Sequence, residues 1–465
     1  MYYRRIIDNH LTEWAQKAKH KPLLLRGARQ IGKSTAVRHL AEQFDSYVEV
    51  NFEKQPVYKS LFEKDLDVKR IVPLISVMSK KPIVEGKTLL FLDEIQECPE
   101  AIMALRYFWE DMPDLHVIAA GSLLEFALDE LPTFGVGRIH SIYMYPMTFD
   151  EFLMANGEQL LLELRNQATA TNPLDDVIHT QLVDYVRIYM LVGGMPESVA
   201  KWVETHDYLQ CQEIQDDILT GYEDDFPKYR KKVDPVLLRQ TMRTIAVLAT
   251  KKFIYAQVSG GYKSTEVKKA LDMLMKAGII IPVTHSRANG LPLEDESNQK
   301  KRKMLLLDTG LMLRLLNMTM GDTTEITTQI LTATAADLIN KGTVAEMLGG
   351  LEYLHYLSPN IRHEQYYWIR EERNSLAEID YLLTLQSKIV PMEVKSGVQG
   401  GMKSLWEFMR EKKLQQAVRC SLENFSSFEY IDEKDAKAVR HVTICPLYAI
   451  SQLQRLMNDY SSKLE

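Results

Sequence analysis

Gly27-Ala28-Arg29-Gln30-Ile31-Gly32-Lys33-Ser34 satisfies the pattern G-x-x-x-x-G-K-[ST] at every position, the spacing that lets a backbone loop wrap a phosphate. Glycines allow positive φ and let backbone N–H groups come close to an anion. Lys33 is placed to meet the β- and γ-phosphates of a nucleoside triphosphate, and the Ser34 hydroxyl to ligate Mg²⁺. A second group answers the first. Thr88-Leu89-Leu90-Phe91-Leu92-Asp93-Glu94 is an apolar run that ends in two carboxylates. Asp93 is the expected metal ligand, and Glu94 the expected base that orients and deprotonates an attacking water. Phosphoryl transfer asks for positioned charge and a polarised water more than for covalent help. The expected catalytic set is Lys33, Glu94 and Arg138. Arg138 follows Gly135-Val136-Gly137 and would neutralise γ-phosphate charge in cis or from a neighbouring copy, or else be an ordinary solvated loop arginine. The expected nucleotide-binding set is Gly27, Ala28, Arg29, Gln30, Ile31, Gly32, Lys33, Ser34, Thr35 and Ser122. Ser122 is open to two readings, a polar sensor near the γ-phosphate or the N-cap of the following helix.

A third group lies far along the chain. Ile389-Val390-Pro391-Met392-Glu393-Val394-Lys395 reads as a strand, in which residues two apart share a face, so Glu393 and Lys395 project together. Asp380, in the strand-like stretch 378–383, would complete an Asp–Glu–Lys cluster, and Glu346 could add a carboxylate from a helix beginning near Thr343. Asp380 and Glu393 could hold one Mg²⁺ or Mn²⁺, with Lys395 assisting a hydrolytic water.

These groups need elements to hold them. Candidate strands at 22–26, 47–52, 88–93, 116–121 and 141–145 alternate with helical patterns, the rhythm of a parallel three-layer α/β domain. The pattern turns helical from about 150 to 225. From 228 to 283 there are twelve Lys/Arg against three Asp/Glu, a local excess of nine positive charges in a chain whose net charge is −7. Helix 264–276 there carries the stripe Val267, Ala270, Leu271 and Leu274, with Lys268, Lys269 and Lys276 outside it. Helix, strand, exposed loop and strand is the order of a winged helix, so this segment is the expected DNA contact, with a packing domain bearing a solvated lysine face as the alternative. The expected domains are 1–155 (phosphate-loop), 156–227 (helical extension), 228–310 (winged-helix-like) and 311–465 (a second α/β domain).

Composition agrees with a globular protein: 46% hydrophobic and 26% charged over 465 residues. No apolar run approaches a membrane span. Four scattered cysteines without a C-x-x-C pair fit a reducing cytoplasm, the expected location, and argue against structural zinc.

The chain resembles the predicted AAA+-superfamily ATPases of bacteria and archaea that carry a C-terminal domain of uncharacterised function. The resemblance rests on residues 27–34 in the form G-x-R-Q-x-G-K-[ST], on Leu92-Asp93-Glu94-Ile95-Gln96, and on Gly121-Ser122. It extends through Gly137-Arg138, Tyr145-Pro146-Met147-Thr148-Phe149-Asp150-Glu151-Phe152, Gly193-Gly194-Met195-Pro196-Glu197 and Asp308-Thr309-Gly310-Leu311 to residues 342–346, Glu378-Ile379-Asp380 and Glu393-Val394-Lys395. It implies ATP and Mg²⁺ as cofactors, ATP hydrolysis, and a C-terminal domain that looks like the restriction-endonuclease, or PD-(D/E)xK, fold. Three functions follow as expectations. The first is an ATPase whose nucleotide state controls a nuclease-like, DNA-binding module. The second is an active ATP-dependent, metal-dependent DNA nuclease. The third is a signalling or scaffold switch that holds a protein partner through an inert C-terminal fold. Relatives of this kind often form rings, which makes a homo-oligomer an expectation as well.

Overall fold

Five apolar runs of the N-terminal third become β1 (Leu23–Arg26), β2 (Ser46–Asn51), β3 (Thr88–Asp93), β4 (His116–Ala120) and β5 (His140–Tyr143). In the computed structural model, which describes residues 2–131, 137–229, 232–320, 341–372, 375–396 and 401–461, they form one parallel sheet in the order β2-β3-β4-β1-β5. Every residue of β3 and β4 is buried, because helices cover both faces and leave no solvated side to alternate toward. One face packs Val48, Val50, Leu90, Leu92, Val117 and Ala119 against helices that include Val68–Ser79 and Pro99–Asp111. The order places β4 between the strand that feeds the phosphate loop and the strand that ends in Asp93. All three therefore open at one edge, where ligands of parallel α/β sheets bind.

The chain divides into two units. The first comprises residues 1–147, 273–279 and 358–362, and the second the remainder. The second unit contains an eight-stranded sheet of β6 (Ile280–Ser286), β7 (Ser297–Leu306), β8 (Gln365–Glu372), β9 (Ser375–Leu385), β10 (Lys388–Val394), β11 (Gln416–Ser421), β12 (Ser426–Asp432) and β13 (Ala438–Pro446). Its order is β12-β13-β11-β10-β9-β8-β6-β7. The meander β8-β9-β10 is antiparallel, and β11 joins β10 in parallel after the helix Lys403–Glu411. Leu405, Phe408 and Met409 of that helix bury themselves with Trp368, Ile379 and Val442 of the sheet.

The ribbon expected as a wing has a different place. β6 and β7 do pair antiparallel, but β6 is hydrogen-bonded on its other side to β8. They are the end of the large sheet, and the boundary expected at 310 separates stretches that share it. The reason lies in burial: Val283, Thr284, His285 and Ser286 are all buried, which a solvated wing does not require. The helix Ser264–Lys276 forms as expected, with Val267, Ala270, Leu271 and Leu274 buried and Lys268 and Lys269 exposed. Among the described residues no helix is long and apolar enough to cross a membrane.

Conserving hydrogen bonds at helix ends shapes the second unit. Thr148 and Glu151 form a reciprocal capping box, Thr148 Oγ1 accepting from Glu151 N and Glu151 Oε2 from Thr148 N. Asp308 accepts from Gly194 N at 2.6 Å and Leu311 N at 2.9 Å. A Cβ on Gly193, whose φ is +73°, would lie 2.2 Å from the Asp308 carboxylate, so the glycine is needed for that approach. Two motifs a hundred residues apart thus turn out to be one contact. Arg165, fully buried, donates to both oxygens of Asp150 at 2.6 and 2.8 Å and to Tyr448 O at 2.7 Å. Arg165→Leu is expected to destabilise the protein by about 3 kcal/mol, because it strands a poorly solvated carboxylate. Urea unfolding checks this, and a shift under about 1 kcal/mol would show that Asp150 finds water instead.

Candidate functional site

The phosphate loop leaves β1 at Gly27 and enters the helix Lys33–Ala41 through Gly32. Gly27 has φ +140° and lies so close to β5's end that a Cβ would sit 2.3 Å from Met144 O. Gly32 is left-handed at φ +93°. Lys33 is buried and donates to the carbonyls of Gly27 at 2.9 Å and Ala28 at 2.5 Å, so its ammonium fills the loop's own hollow. Burial lowers its pKa from 10.5 to about 8, opposed by the charges of Glu94 and Asp93. Thr35 is exposed on the first turn of the helix.

The loop is braced from behind by Arg5, which the sequence did not single out. Its guanidinium donates to Ile31 O at 3.0 Å and Tyr145 O at 2.8 Å. No local pattern marks this residue; only the fold brings it under the loop.

Ser34 and Asp93 come together. Ser34 Oγ lies 3.2 and 3.3 Å from the two Asp93 oxygens, and Asn51 Nδ2 donates to Asp93 Oδ2 at 3.0 Å. Asn51 pairs directly with Asp93 in the β2–β3 register and was also missed, although a polar residue ending an apolar strand was its signal. Burial and the neighbouring Glu94 raise the Asp93 pKa, partly offset by Ser34 and Asn51. A buried carboxylate short of positive charge, with a hydroxyl beside it, suits a hard divalent cation such as Mg²⁺.

Glu94 turns left-handed at φ +49°, a conformation uncommon for a residue with a Cβ. Its Oε2 accepts from Gln96 Nε2 at 2.7 Å and lies within 3.4 Å of Ser122 N and 3.3 Å of Ser122 Oγ. Ser122 is not the helix cap: the helix Leu124–Glu130 has Leu123 at its N-cap and no side-chain cap bond. Sheet order puts Ser122, after β4, beside Glu94, after β3.

Arg138 is not part of this arrangement. It is half-exposed and paired with Glu110 at 3.2 Å, two residues before β5. Because β5 runs parallel to β1 with Tyr143 level with Arg26, Arg138, which precedes β5, lies toward the opposite end of the sheet from the loop. That position gives no support to a role in cis.

A model of an AAA domain matches residues 19–153. Residues 19–153 form an AAA domain. The loop at 27–34, the acidic pair at the end of β3 and the parallel sheet all lie within it, and the domain implies nucleotide binding. Residues 183–322 match one domain of unknown function (DUF8612) and residues 341–447 another (DUF4143). No curated protein matches the chain. Among solved structures, the Walker-type ATPase of Pyrococcus abyssi is 14% identical over 68% of this chain and 96% of its own, with a TM-score of 0.45. The Saccharomyces cerevisiae Hsp104–ADP complex is 12% identical over 59% of this chain and 38% of that chain, TM-score 0.26. Unliganded Pif1 from a Bacteroides species is 16% identical over 39% of this chain and 52% of that chain, TM-score 0.21.

In the second unit the structure brings Glu346, Asp380, Glu393 and Lys395 into one cluster. Asp380 Oδ2 accepts from Val394 N at 2.8 Å, and Lys395 pairs with Glu393. Lys395 N continues the ladder past β10 by donating to Cys420 O at 2.8 Å. Oxygens of Glu346, Glu378 and Asp380 lie within 4.8 Å of one another. Two members were missed, Glu378 and Lys303. Lys303 donates to Glu346 at 2.8 Å and pairs with Glu378. It was hidden in the run Lys300-Lys301-Arg302-Lys303, which reads as a solvated loop but belongs to β7. Burial, then Asp380, raises the pKa of Glu393 to about 7 against the pull of Lys395. The same two causes raise Glu346. Lys303 goes the other way from what its burial dictates: Glu346, Asp380 and Glu378 raise it. The crowd of acids around this one ammonium favours a charged lysine.

Lys33 also makes a pH prediction. Its folded pKa lies below its usual one, so nucleotide-free protein loses this charge above about pH 8, and binding a polyphosphate must then take up a proton. Affinity for an ATP analogue is expected to be flat below that pH and to weaken above it, by up to about tenfold per unit. Fluorescence titrations across this range check it, and an affinity that ignores pH would exclude Lys33 from phosphate contact.

Proposed function

We propose that the chain hydrolyses ATP in its AAA domain and that the nucleotide state governs the second unit. The observation that supports this reading is Glu94, held by Gln96 and Ser122 one residue beyond the Ser34–Asp93 pair. Lys33 exchanges the carbonyls of Gly27 and Ala28 for phosphate oxygens, while the loop N–H groups and the helix N-terminus supply further positive potential. Ser34 and Asp93 would hold Mg²⁺, which when bound neutralises phosphate charge. Glu94 orients a water and takes its proton as the water oxygen bonds to the γ-phosphorus and the bond to the ADP oxygen breaks. Ser122 keeps the glutamate aimed. Arg138, unsupported in cis, is assigned to a neighbouring copy if the chain assembles.

The companion reading is a nuclease-like second unit. The helix Lys341–His355, the meander β8-β9-β10, the helix Lys403–Glu411 and the parallel β11 follow the order expected of a restriction-endonuclease-like core. Asp380 and Glu393 would hold a Mg²⁺ or Mn²⁺ that polarises a phosphodiester, with Lys395 beside it. Glu393 fits the demand, since its Oε2 is buried with no hydrogen-bond partner among the described residues. DNA contact would fall to Lys268 and Lys269 on the helix Ser264–Lys276. Other basic residues of the segment are engaged: Lys228 with Asp225, Arg239 and Arg243 with Glu223, and Lys276 with Asp129. Arg230 and Lys231 lie outside the described residues.

Lys33→Ala is expected to abolish ATP binding, and Glu94→Gln to bind ATP normally while hydrolysis slows by about a hundredfold or more. A phosphate-release assay beside a binding titration reads both, and normal turnover by Glu94→Gln would remove the assigned base. For the second unit, plasmid nicking with Mn²⁺ is expected from the wild type and not from Asp380→Ala. Intact plasmid under every metal tried, with or without ATP, would favour an inert module that binds a protein partner.

A further inference from the structure

Four carboxylates and two lysines share the cluster of the second unit, and the lysines are not equivalent. Lys395 is partly exposed and serves Glu393 at the rim. Lys303 is 1% exposed and sits where Glu346, Glu378 and Asp380 converge. The face of the Tyr367 ring lies 5.0 Å from its ammonium, a further cation contact. Such a position makes the contacts that a metal ion would make with the same oxygens. An ammonium brings one charge and three donors, whereas a divalent ion brings two charges and gathers six or more oxygens. Both cannot hold Glu346 and Glu378 at once. Meanwhile Glu393 Oε2, in a side chain more than nine-tenths buried, has no hydrogen-bond partner among the described residues, so the cluster retains a free acceptor for a second cation.

We propose that Lys303 is the built-in cation of this carboxylate cluster, and that a divalent metal binds fully only by displacing its ammonium from Glu346 and Glu378. The inference rests on the reading of the cluster as a metal site. Its consequence is regulatory: the cluster is held together without metal, and the affinity for metal is set low by a tethered competitor. Whatever moves β7, the end strand that carries Lys303 and pairs with β6 on one side and, at Lys303 itself, by a single bridge to Lys252 on the other, would raise that affinity.

The test compares nucleotide-free wild type with the full chain carrying both Lys303→Met and Glu378→Gln. The double change removes one positive and one negative charge, so the cluster's net charge is unaltered; the competitor goes together with one carboxylate it holds, and Glu346, Asp380 and Glu393 remain for the metal. Mn²⁺ binding, followed by electron paramagnetic resonance of the free ion, is expected to tighten by about tenfold or more, and the gain to vanish when Asp380→Ala is added. Equal or weaker binding overturns the proposal. A second readout uses the wild type alone and needs no variant to fold. Lys303 is expected to resist a lysine-acylating reagent and to become labelled, by mass spectrometry, once Mn²⁺ saturates the cluster. Protection that Mn²⁺ leaves unchanged overturns the proposal as well. Neither readout involves cleavage. Tighter metal with intact plasmid would dismiss the nuclease and keep the role of Lys303, while nicking without any gain in affinity would do the reverse.

Discussion

A lysine ammonium buried beneath a glycine loop is the constraint on which the first unit depends. Lys33 is buried and satisfied by two carbonyls of the loop itself. Burying a charge in this way is unfavourable unless partners are held in place, and much of the surrounding structure does that holding. Gly27 presses against the backbone of Met144, Arg5 ties Ile31 to Tyr145, and Asp93 and Glu94 supply opposite charge from the next strand but one. The loop is therefore built before any phosphate arrives. A nucleotide would exchange one set of oxygens for another, with little backbone ordering left to be done on binding.

The second unit faces the same problem with the sign reversed. Its excess is of carboxylates, and Lys303 and Lys395 divide them. Elsewhere in that unit buried acids are satisfied by backbone N–H groups and a hydroxyl: Asp308 by Gly194 N and Leu311 N, Glu352 by Phe149 N and the Tyr189 hydroxyl. Glu352 is pushed up to about 8 and Asp308 to about 6, chiefly by burial. These acids serve as structural pins held by hydrogen bonds, whereas carboxylates of the cluster are paired with lysines.

Arg138 illustrates how topology limits chemistry. An arginine after a glycine pair reads either as a cation for a γ-phosphate or as a solvated loop residue, and strand direction places it toward the far end of the sheet from the loop. The basic segment is a similar case. A local excess of positive charge is visible in the sequence, but Glu223, Asp225 and Asp129 take up part of it, and the acids that do so come from outside the segment counted.

What the chain order alone determined was whatever depends on neighbours a few residues away. The phosphate loop, the Asp93–Glu94 pair, the five N-terminal strands and the stripe of the helix Ser264–Lys276 are all local patterns, because glycine φ, strand alternation and helix periodicity act over one or two turns of backbone. Sheet order, strand partners and the far ends of ion pairs are contacts between residues tens to hundreds of positions apart. Nothing local records them. That is why Arg5, Asn51 and Lys303 escaped notice, why β6 and β7 read as a wing rather than as part of an eight-stranded sheet, and why Ser122 could be separated from a helix cap only once β4 was seen beside β3.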